Sequence, residues 1–324
     1  MVRVIAMERA GGPDVLRLAE RDLAAPGRGE VLLRQAAIGV NFVDIYHRTG
    51  LYPLPAWPAV PGIEGAGTVE AVGEGVDALK PGDRVAYMGL PVGGYAEARL
   101  LPAERLIRLP DAVSLETASA AMARGVTAHM LLHRVYPVGR GSTLLVHAAA
   151  GGLGLILVQW AKALGATVIG AVGSRGKAEL AKRHGLDHAI LYRESDVAAE
   201  VRALTDGRGA DYVIDGIGGE NLRKDFDCTR QFGTIASIGE AGGSIPPIDV
   251  FELGPRRALC LARPSVIAYS MDRQTYRMAA AAVFERLAAG LRIEIGARFA
   301  LEEARQAQEA LQAGRTTGSI LLLT

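Results

Sequence analysis

Two periodicities divide the chain. Up to about residue 120, apolar and polar positions alternate in short runs at 2–7, 31–38, 67–72 and 84–88. The runs are punctuated by turn signals: Gly11-Gly12-Pro13, Pro26-Gly27, Pro81-Gly82-Asp83 and Gly93-Gly94. A period of two between glycines and prolines predicts strands and few strong helices, hence a compact, partly open β-barrel. From 114 to 133 the spacing becomes helical, with Ser114 placed to cap and Glu116 in the first turn. Strand patterns at 143–148, 167–172, 189–191, 212–214 and 233–238 then alternate with helical ones at 152–164, 175–184, 196–205 and 219–228. Such alternation predicts right-handed βαβ units and a doubly wound parallel sheet. After the apolar run 258–261 it stops. A long helix at 272–289, a strand at 293–296, a helix at 301–313 and a strand at 319–323 close the chain, and these are expected to return to the first domain. The fold class is α/β.

One strand-to-helix turn stands out. Leu144-Leu145-Val146-His147 passes through Ala148-Ala149-Ala150-Gly151-Gly152-Leu153-Gly154 into a helical stretch. Small residues let the backbone approach a pyrophosphate, and the helix that follows offers free N–H groups to it. The spacing is not G-x-G-x-x-G, so a tight turn without a ligand stays open on this stretch alone. The end of the next strand tips the balance towards a Rossmann-type nucleotide domain. It reads Gly173-Ser174-Arg175-Gly176-Lys177, without the acid that binds an adenosine ribose in NAD-dependent folds. Ser174, Arg175 and Lys177 can instead bond or neutralise a 2′-phosphate, which favours NADPH. The alternative, two cations solvating a surface helix, sits poorly with the helix dipole. Tyr192, after the third strand, either flanks the adenine end or is structural.

Composition narrows the class. The 324 residues are 49% hydrophobic and 22% charged, enough for two globular domains with substantial cores. A net charge of +1 and the lack of a basic stripe with interleaved aromatics give no reason to expect a nucleic-acid or anionic-membrane partner. Cys228 and Cys260 are the only cysteines, so no disulfide framework is expected and a reducing, cytoplasmic compartment is inferred. Arg3, Glu8 and Arg9 interrupt any signal-peptide core, and no apolar run reaches the roughly 18 residues of a membrane span. Among His47, His129, His133, His147, His184 and His188 no ligand constellation is visible. His129 and His133, four apart, could seed a metal site but lack a cysteine or carboxylate nearby. No metal is expected.

Further segments carry a family resemblance. They are Gly39-Val40-Asn41-Phe42-Val43-Asp44-Ile45-Tyr46-His47-Arg48-Thr49-Gly50-Leu51-Tyr52, Pro61-Gly62-Ile63-Glu64-Gly65-Ala66-Gly67, the glycine turn with Gln159-Trp160-Ala161-Lys162, Arg263-Pro264-Ser265 and Arg315-Thr316-Thr317-Gly318-Ser319. Together they span essentially the whole chain, which resembles the zinc-independent quinone oxidoreductases (zeta-crystallin-like) of the medium-chain dehydrogenase/reductase superfamily. The resemblance implies a GroES-like catalytic domain from 1–121 and 264–324, with an NADPH-binding Rossmann-type domain at 122–263 inserted in it. Metal-dependent relatives carry a cysteine and a His-Glu pair where this chain has Asn41 and Ile63-Glu64, and the four-cysteine lobe is missing. It also implies that Asn41 and Thr127, in Gly125-Val126-Thr127, lie near the nicotinamide and that Tyr46 and Tyr52 surround the acceptor. Gly151, Gly152, Leu153, Gly154, Gly173, Ser174, Lys177 and Tyr192 would then take the phosphates and adenosine. Ile217, Ile238, Gly239, Arg263, Pro264, Ser265 and Arg315 would line the rest of the cofactor groove. Where many relatives have Ala-His, this chain has Ala307-Gln308, a difference read as structural. Relatives commonly dimerise through an edge such as 258–267, so a homodimer is expected.

A quinone needs little Lewis-acid help, because it is already electrophilic. The protein must place the nicotinamide C4 against the acceptor and stabilise the oxyanion that develops. Asn41 can offer an amide N–H or cap the backbone. Tyr46 and Tyr52 can donate a phenolic hydrogen bond and stack on a flat acceptor, while Tyr52 can equally pack under the loop 53–58. Asp44 and Arg48 read as a structural ion pair, and Arg263 as either a cofactor contact or a solvated strand end. The proton that completes the reaction can come from solvent. NADPH-dependent quinone reduction is therefore the first expectation, and reduction of an activated C=C bond, as in enone or alkenal reductases, is its rival. An NADPH-sensitive RNA-binding or structural protein is a third, disfavoured by the charge.

Overall fold

Eleven residues, Glu30–Val40, form the longest strand of the first unit, and three others pair with it. Its inward positions Val31, Leu33 and Ala37 alternate until Ala37, after which both faces are buried through Val40. Glu64–Val72 runs antiparallel along most of its length, Ala98–Pro102 along the first half and Ser319–Leu323 along the second, with Leu321 opposite Gly39. Register shifts at Leu32/Leu33 and Gln35/Ala37 mark bulges that bend the strand. The sheet continues through Arg84–Met88 to Ile107–Arg108 on one side and through Ser319–Leu323 to the parallel strand Ile295–Ala300 on the other. Val2–Ala6 and Arg17–Arg21 make a separate antiparallel pair. This is the β-rich domain expected, and the last strand of the chain does return to it.

The second unit is a six-stranded parallel sheet. In spatial order its strands are His188–Leu191, Thr167–Val172, Thr143–His147, Ala210–Asp215, Thr229–Ser237 and Cys260–Ala262. Numbered along the chain, that order is the doubly wound 3-2-1-4-5-6 arrangement. The central strands read as continuous apolar runs because helices cover both faces. Leu145, Ile169, Val213 and Ile235 pack with Val201, Leu222 and Phe226 from the helices Val197–Leu204 and Asn221–Cys228. Each such fully buried side chain contributes about 1.5–3 kcal/mol.

The computed structural model describes every residue from Met1 to Thr324. Contacts divide them into Met1–Val126 with Ser270–Leu287 and Ile293–Thr324, and Thr127–Tyr269 with Ala288–Arg292. No helix is long and apolar enough to cross a membrane. Two local features depart from the pattern reading. The helix begun at Ser114 is α-helical only over Leu115–His129 and then widens to a π-turn over Met130–Val135. Phe42–Thr49, in the stretch read as β-rich, is a helix. Phe42, Ile45 and Tyr46 do stand at helical spacing, but the helix is only eight residues long and also buries Asp44, His47 and Arg48, which blurs the pattern.

Candidate functional site

In the second unit all strands are parallel, so the residues that follow each strand emerge on one edge of the sheet. The edge collects Ala148–Gly151 after the first strand, Gly173 and Ser174 after the second and Tyr192 after the third. After the fourth, fifth and sixth come Ile217, Ile238 with Gly239, and Arg263 with Pro264 and Ser265. Ligands of open α/β sheets bind at this edge.

The glycine turn has the shape its sequence suggests. Ala148 adopts a left-handed backbone with φ of 50°, and Gly151 N–H donates to its carbonyl at 2.8 Å. A Cβ on Gly154 would lie 2.4 Å from Ala148 O, so only glycine lets the helix Gly152–Ala163 start this close to the strand. No side chain caps that helix at Gly151, which leaves its first N–H groups to an anion. At the next turn Ser174 Oγ accepts from Lys177 N–H at 3.4 Å and caps the helix Arg175–Arg183. A Cβ on Gly173 would come 2.8 Å from the hydroxyl of Tyr192, which is half exposed beside it. Arg193, which the sequence reading passed over, lies over the Tyr192 ring at 5.9 Å, and Arg175 pairs with Glu194 at 3.9 Å. A small residue, a hydroxyl, an open aromatic face and several cations thus stand where an adenosine 2′-phosphate would be read. These residues fit the nucleotide.

Asp215, at the end of the fourth strand, shapes the next loop. Its carboxylate accepts from Ile217 N–H at 2.7 Å and Gly218 N–H at 3.1 Å, while Gly242 N–H donates to Ile217 O at 2.7 Å. A Cβ on Gly218 would meet Gly239 O at 2.6 Å, so Ile217 and Gly239 are brought side by side. Asp215 also lies with His147 and Asp225 in a buried cluster whose ligand atoms are within 4.8 Å of one another. The histidines in sequence gave no hint of it, since 78 positions separate His147 from Asp225. Hydrogen bonds account for the cluster: His147 Nε2 meets Asp225 Oδ1 at 2.7 Å, and the Asn221 amide reaches Asp215 Oδ1 and Asp225 Oδ2 at 3.4 Å. Burial alone would push the His147 imidazole down, but Asp225 and Asp215 hold it above its ordinary value.

Other expected positions have local partners. The Arg263 guanidinium donates to Ser237 Oγ and Glu240 Oε1, both at 2.8 Å, which ties down the strand end. Ser265 Oγ accepts from Ala268 N–H at 3.2 Å, in the helix Val266–Met271. Arg315 is exposed, and Thr127 is half-buried. His129 and His133 do meet, with rings 4.8 Å apart, but Trp160 packs edge-on against both and Tyr269 Oη lies 3.0 Å from His129 Nδ1. Burial, with His133 beside it, pushes His129 down to about 4, so it is neutral at ordinary pH.

The first unit holds the remaining candidates. Asn41 caps the helix Phe42–Thr49, and Asp44 Oδ2 accepts from the Asn41 backbone N–H at 2.8 Å. The Asn41 side-chain Nδ2 donates to Glu64 Oε2 at 2.9 Å and to Gly39 O at 3.3 Å. Glu64 is fully buried and also accepts from Ala123 N–H at 2.5 Å and from Arg124 Nη1 at 3.1 Å. Arg124 Nη2 donates to Val40 O at 2.7 Å. A Cβ on Gly39 would lie 2.1 Å from Glu64 Oε2, so glycine there makes room for the carboxylate. Burial pushes the Glu64 carboxyl up, and the Arg124 guanidinium opposes that rise most strongly. Neither Glu64 as an anchor nor Arg124 as its partner was singled out from sequence, where nothing relates positions 60 apart.

The expected Asp44–Arg48 ion pair does not form. Asp44 takes the Tyr95 hydroxyl at 3.1 Å as well as the helix N-terminus, while Arg48 turns to Gln312 Oε1 at 3.0 Å. Gln308 is buried and donates to Tyr95 Oη at 3.3 Å, which supports its reading as a structural residue. Burial pushes Asp44 up to about 7. Tyr46 and Tyr52 come together edge-to-face at 5.2 Å, and Tyr52 N–H donates to Tyr46 O at 3.1 Å. Tyr46 is buried, Tyr52 half-buried, and the Tyr52 ring also meets His47 at 6.2 Å.

The family models that match the chain are the alcohol dehydrogenase GroES-like domain, over residues 27–111, and zinc-binding dehydrogenase, over residues 152–285. Over the full length of both chains, 43% of residues are identical to those of a quinone oxidoreductase from Pseudomonas aeruginosa. The chain belongs to the quinone oxidoreductase family. A 2-haloacrylate reductase from a Burkholderia species is 42% identical, over all of this chain and 99% of its own. The structure of Escherichia coli quinone oxidoreductase complexed with NADPH superposes with a TM-score of 0.96 at 36% identity, covering 99% of this chain and all of that one. Zinc, which one family model's description implies, finds no suitable donor set at the positions of the metal ligands. Asn41 and Glu64 are bonded to each other there, beside a guanidinium, whereas zinc sites gather cysteine, histidine or free carboxylate.

Proposed function

We propose that this protein is an NADPH-dependent quinone reductase that passes hydride to its acceptor without a metal ion. The observation that carries this reading is the Asn41–Glu64–Arg124 centre. With an ion pair built into the position of the metal ligands, the protein has no Lewis acid there to polarise an unactivated carbonyl, so the acceptor must be electrophilic itself. NADPH is favoured over NADH by the Gly173-Ser174 turn with Arg175, Lys177 and Arg193 around it, and by E. coli quinone oxidoreductase having been crystallised with NADPH.

The bound nucleotide supplies the hydride. The chain supplies the rest: N–H groups at the start of the helix Gly152–Ala163 hold the pyrophosphate, and the Ser174 turn and its cations hold the 2′-phosphate. Tyr52, half-buried beside Tyr46, offers an aromatic edge and a hydroxyl to a flat acceptor. On the same sheet edge of the second unit, Ile217, Ile238, Gly239, Arg263, Pro264 and Ser265 are assigned to the nicotinamide end of the cofactor. A second reading, reduction of an activated C=C bond, is supported by the 42% identity to a 2-haloacrylate reductase. Steady-state assays with NADPH against matched quinones and enones, after exhaustive chelation, separate the two. Higher kcat/KM for quinones is expected; a preference for enones selects the second reading, and loss of activity on chelation overturns the metal-free one.

We further propose a homodimer paired through the outer strand Cys260–Ala262, beside which Phe232, Val250 and Phe251 are exposed. A monomeric mass in light scattering would contradict it.

A further inference from the structure

His147 and Asp215 each end a central strand of the parallel sheet, and each stands directly before a loop of the nucleotide edge. Ala148 follows His147 and opens the glycine turn, while Gly216, Ile217 and Gly218 follow Asp215. One helix, Asn221–Cys228, reaches both strand ends. Its Asp225 Oδ1 meets His147 Nε2 at 2.7 Å, and its Asn221 amide lies 3.4 Å from Asp215 Oδ1 and from Asp225 Oδ2. Asp215 and Asp225 are 0% and 1% exposed, and His147 is 9% exposed. No other cation serves the cluster. The strand Thr167–Val172 beside His147 carries no titratable side chain. Lys162, on the helix Gly152–Ala163, is bonded to Asp187 at 2.8 Å, and Asp211, at the far end of the Asp215 strand, is held by Arg208 and Arg230. Next to Asp225 on its own helix lies only Cys228, whose thiol burial pushes up and so keeps neutral.

An imidazole set against two buried carboxylates is worth most to them when it carries a proton. As an imidazolium it compensates a negative charge at the Asp225 contact. As a neutral imidazole it can still donate one N–H there, but Asp215 and Asp225 then share a water-poor setting with no cation beside them. Burial alone would push the His147 imidazole down, and the two carboxylates hold it above its ordinary value. Ile217 and Gly218 N–H groups fasten Asp215 to its loop, so loss of the proton sets Asp225, and the helix that carries it, against the strand ends. That helix follows the loop 216–220, and His147 leads straight into the turn 148–151. Movement of one against the other therefore shifts both loops.

We infer that His147 is a positioning residue for the nucleotide: as an imidazolium it clasps the helix Asn221–Cys228 to the strand that begins the phosphate turn, and so holds the turn 148–151 and the loop 216–219 in register along one sheet edge. The inference rests on the nucleotide reading above. Every part of the clasp lies within the second unit. Apparent affinity is the intrinsic affinity reduced by the fraction of protein in the competent state, so a clasp closed by a proton makes nucleotide binding weaken as pH rises. The loops it holds meet the parts that NADPH and NADH share, so both nucleotides should feel it alike.

The test is a binding titration with NADPH, and separately with NADH, from about pH 6 to about pH 9, a span around and above the ordinary histidine value. The parent is compared with His147→Gln and Asp225→Asn. Its advantage over His147→Gln should be about tenfold at the acid end, the value of one hydrogen bond to a charged partner. That advantage should fade as pH rises through the raised imidazole range, and by the same factor for both nucleotides. Taking the ratio to His147→Gln cancels the ionisation of the 2′-phosphate. Asp225→Asn removes the carboxylate that holds the imidazole up, so the midpoint of the fade should move to lower pH. A merely structural contact would weaken binding equally at every pH and leave no midpoint to move. An advantage that does not change with pH, or a midpoint unmoved in Asp225→Asn, overturns the inference. If His147→Gln does not fold, NADH binding to the parent and to Asp225→Asn still decides it, because NADH has no 2′-phosphate to titrate. Failure of the parent to bind either nucleotide would instead overturn the proposed function.

Discussion

The sheet edge of the second unit and the Asn41–Glu64–Arg124 centre of the first are built on different principles. At the sheet edge the working groups are mostly backbone: N–H groups of a turn, glycines that admit a close approach, and loops placed by parallel strands. A Cβ on Gly154 would lie 2.4 Å from Ala148 O, so what the position contributes is the absence of a side chain. In the Asn41 centre the working groups are side chains, joined across 23 and 60 positions of sequence around one buried carboxylate. The first kind of site depends on conformation, the second on charge. Damage to each should therefore register differently, as lost binding in one case and lost stability in the other.

The largest expected effect is on the charged centre. Glu64→Ala leaves the Arg124 guanidinium buried without its partner, and removing one member of a buried pair costs about 3–5 kcal/mol. Denaturant unfolding should show that loss, with Glu64→Gln milder. A change below about 1 kcal/mol for Glu64→Ala would mean that the pair is not buried as described. Gly154→Ala is the counterpart at the sheet edge. The displaced turn should weaken NADPH at least about tenfold, the value of one charge-assisted hydrogen bond lost to the pyrophosphate, with a stability loss of about 1–3 kcal/mol from overpacking. Unaltered NADPH affinity in a titration would remove the turn from the phosphate site.

A subtler effect concerns Asp44, held up to about 7 by burial. With its pKa raised in the fold, the native state binds more protons than the unfolded chain between the ordinary carboxyl range and about pH 7. Stability from this group is thus greatest in acid, falls as pH rises through that window and levels off above it. Asp44→Asn removes the titration, so the melting temperature of the variant relative to the parent should improve from pH 5 to pH 8, by a few degrees at roughly 2–4 °C per kcal/mol. A difference that stays constant with pH would show that Asp44 titrates normally.

The same contrast explains what could be read from sequence. Alternating periodicities, the glycine turn and the missing acid at Gly173-Ser174 are local signals, and they led to the doubly wound sheet and the nucleotide edge. The helix Phe42–Thr49 was missed because it is only eight residues long and three of the residues it buries are polar or charged. Asp44 and Arg48, at helical spacing, invited an ion pair, but Tyr95 and Gln312, distant in sequence, took the two charges apart. Arg193 was missed because only the fold brings the end of the third strand beside that of the second. Family resemblance located Asn41, while only its contacts reveal that its N–H groups face inward.

The most direct measurement is a titration of the parent protein with NADPH and with NADH in the presence of a chelator. NADPH should bind at least about tenfold more tightly, the value of one charge-assisted contact to the 2′-phosphate, and Lys177→Ala should narrow that margin. Equal affinities for the two nucleotides, or binding that disappears on chelation, would contradict a metal-free NADPH site.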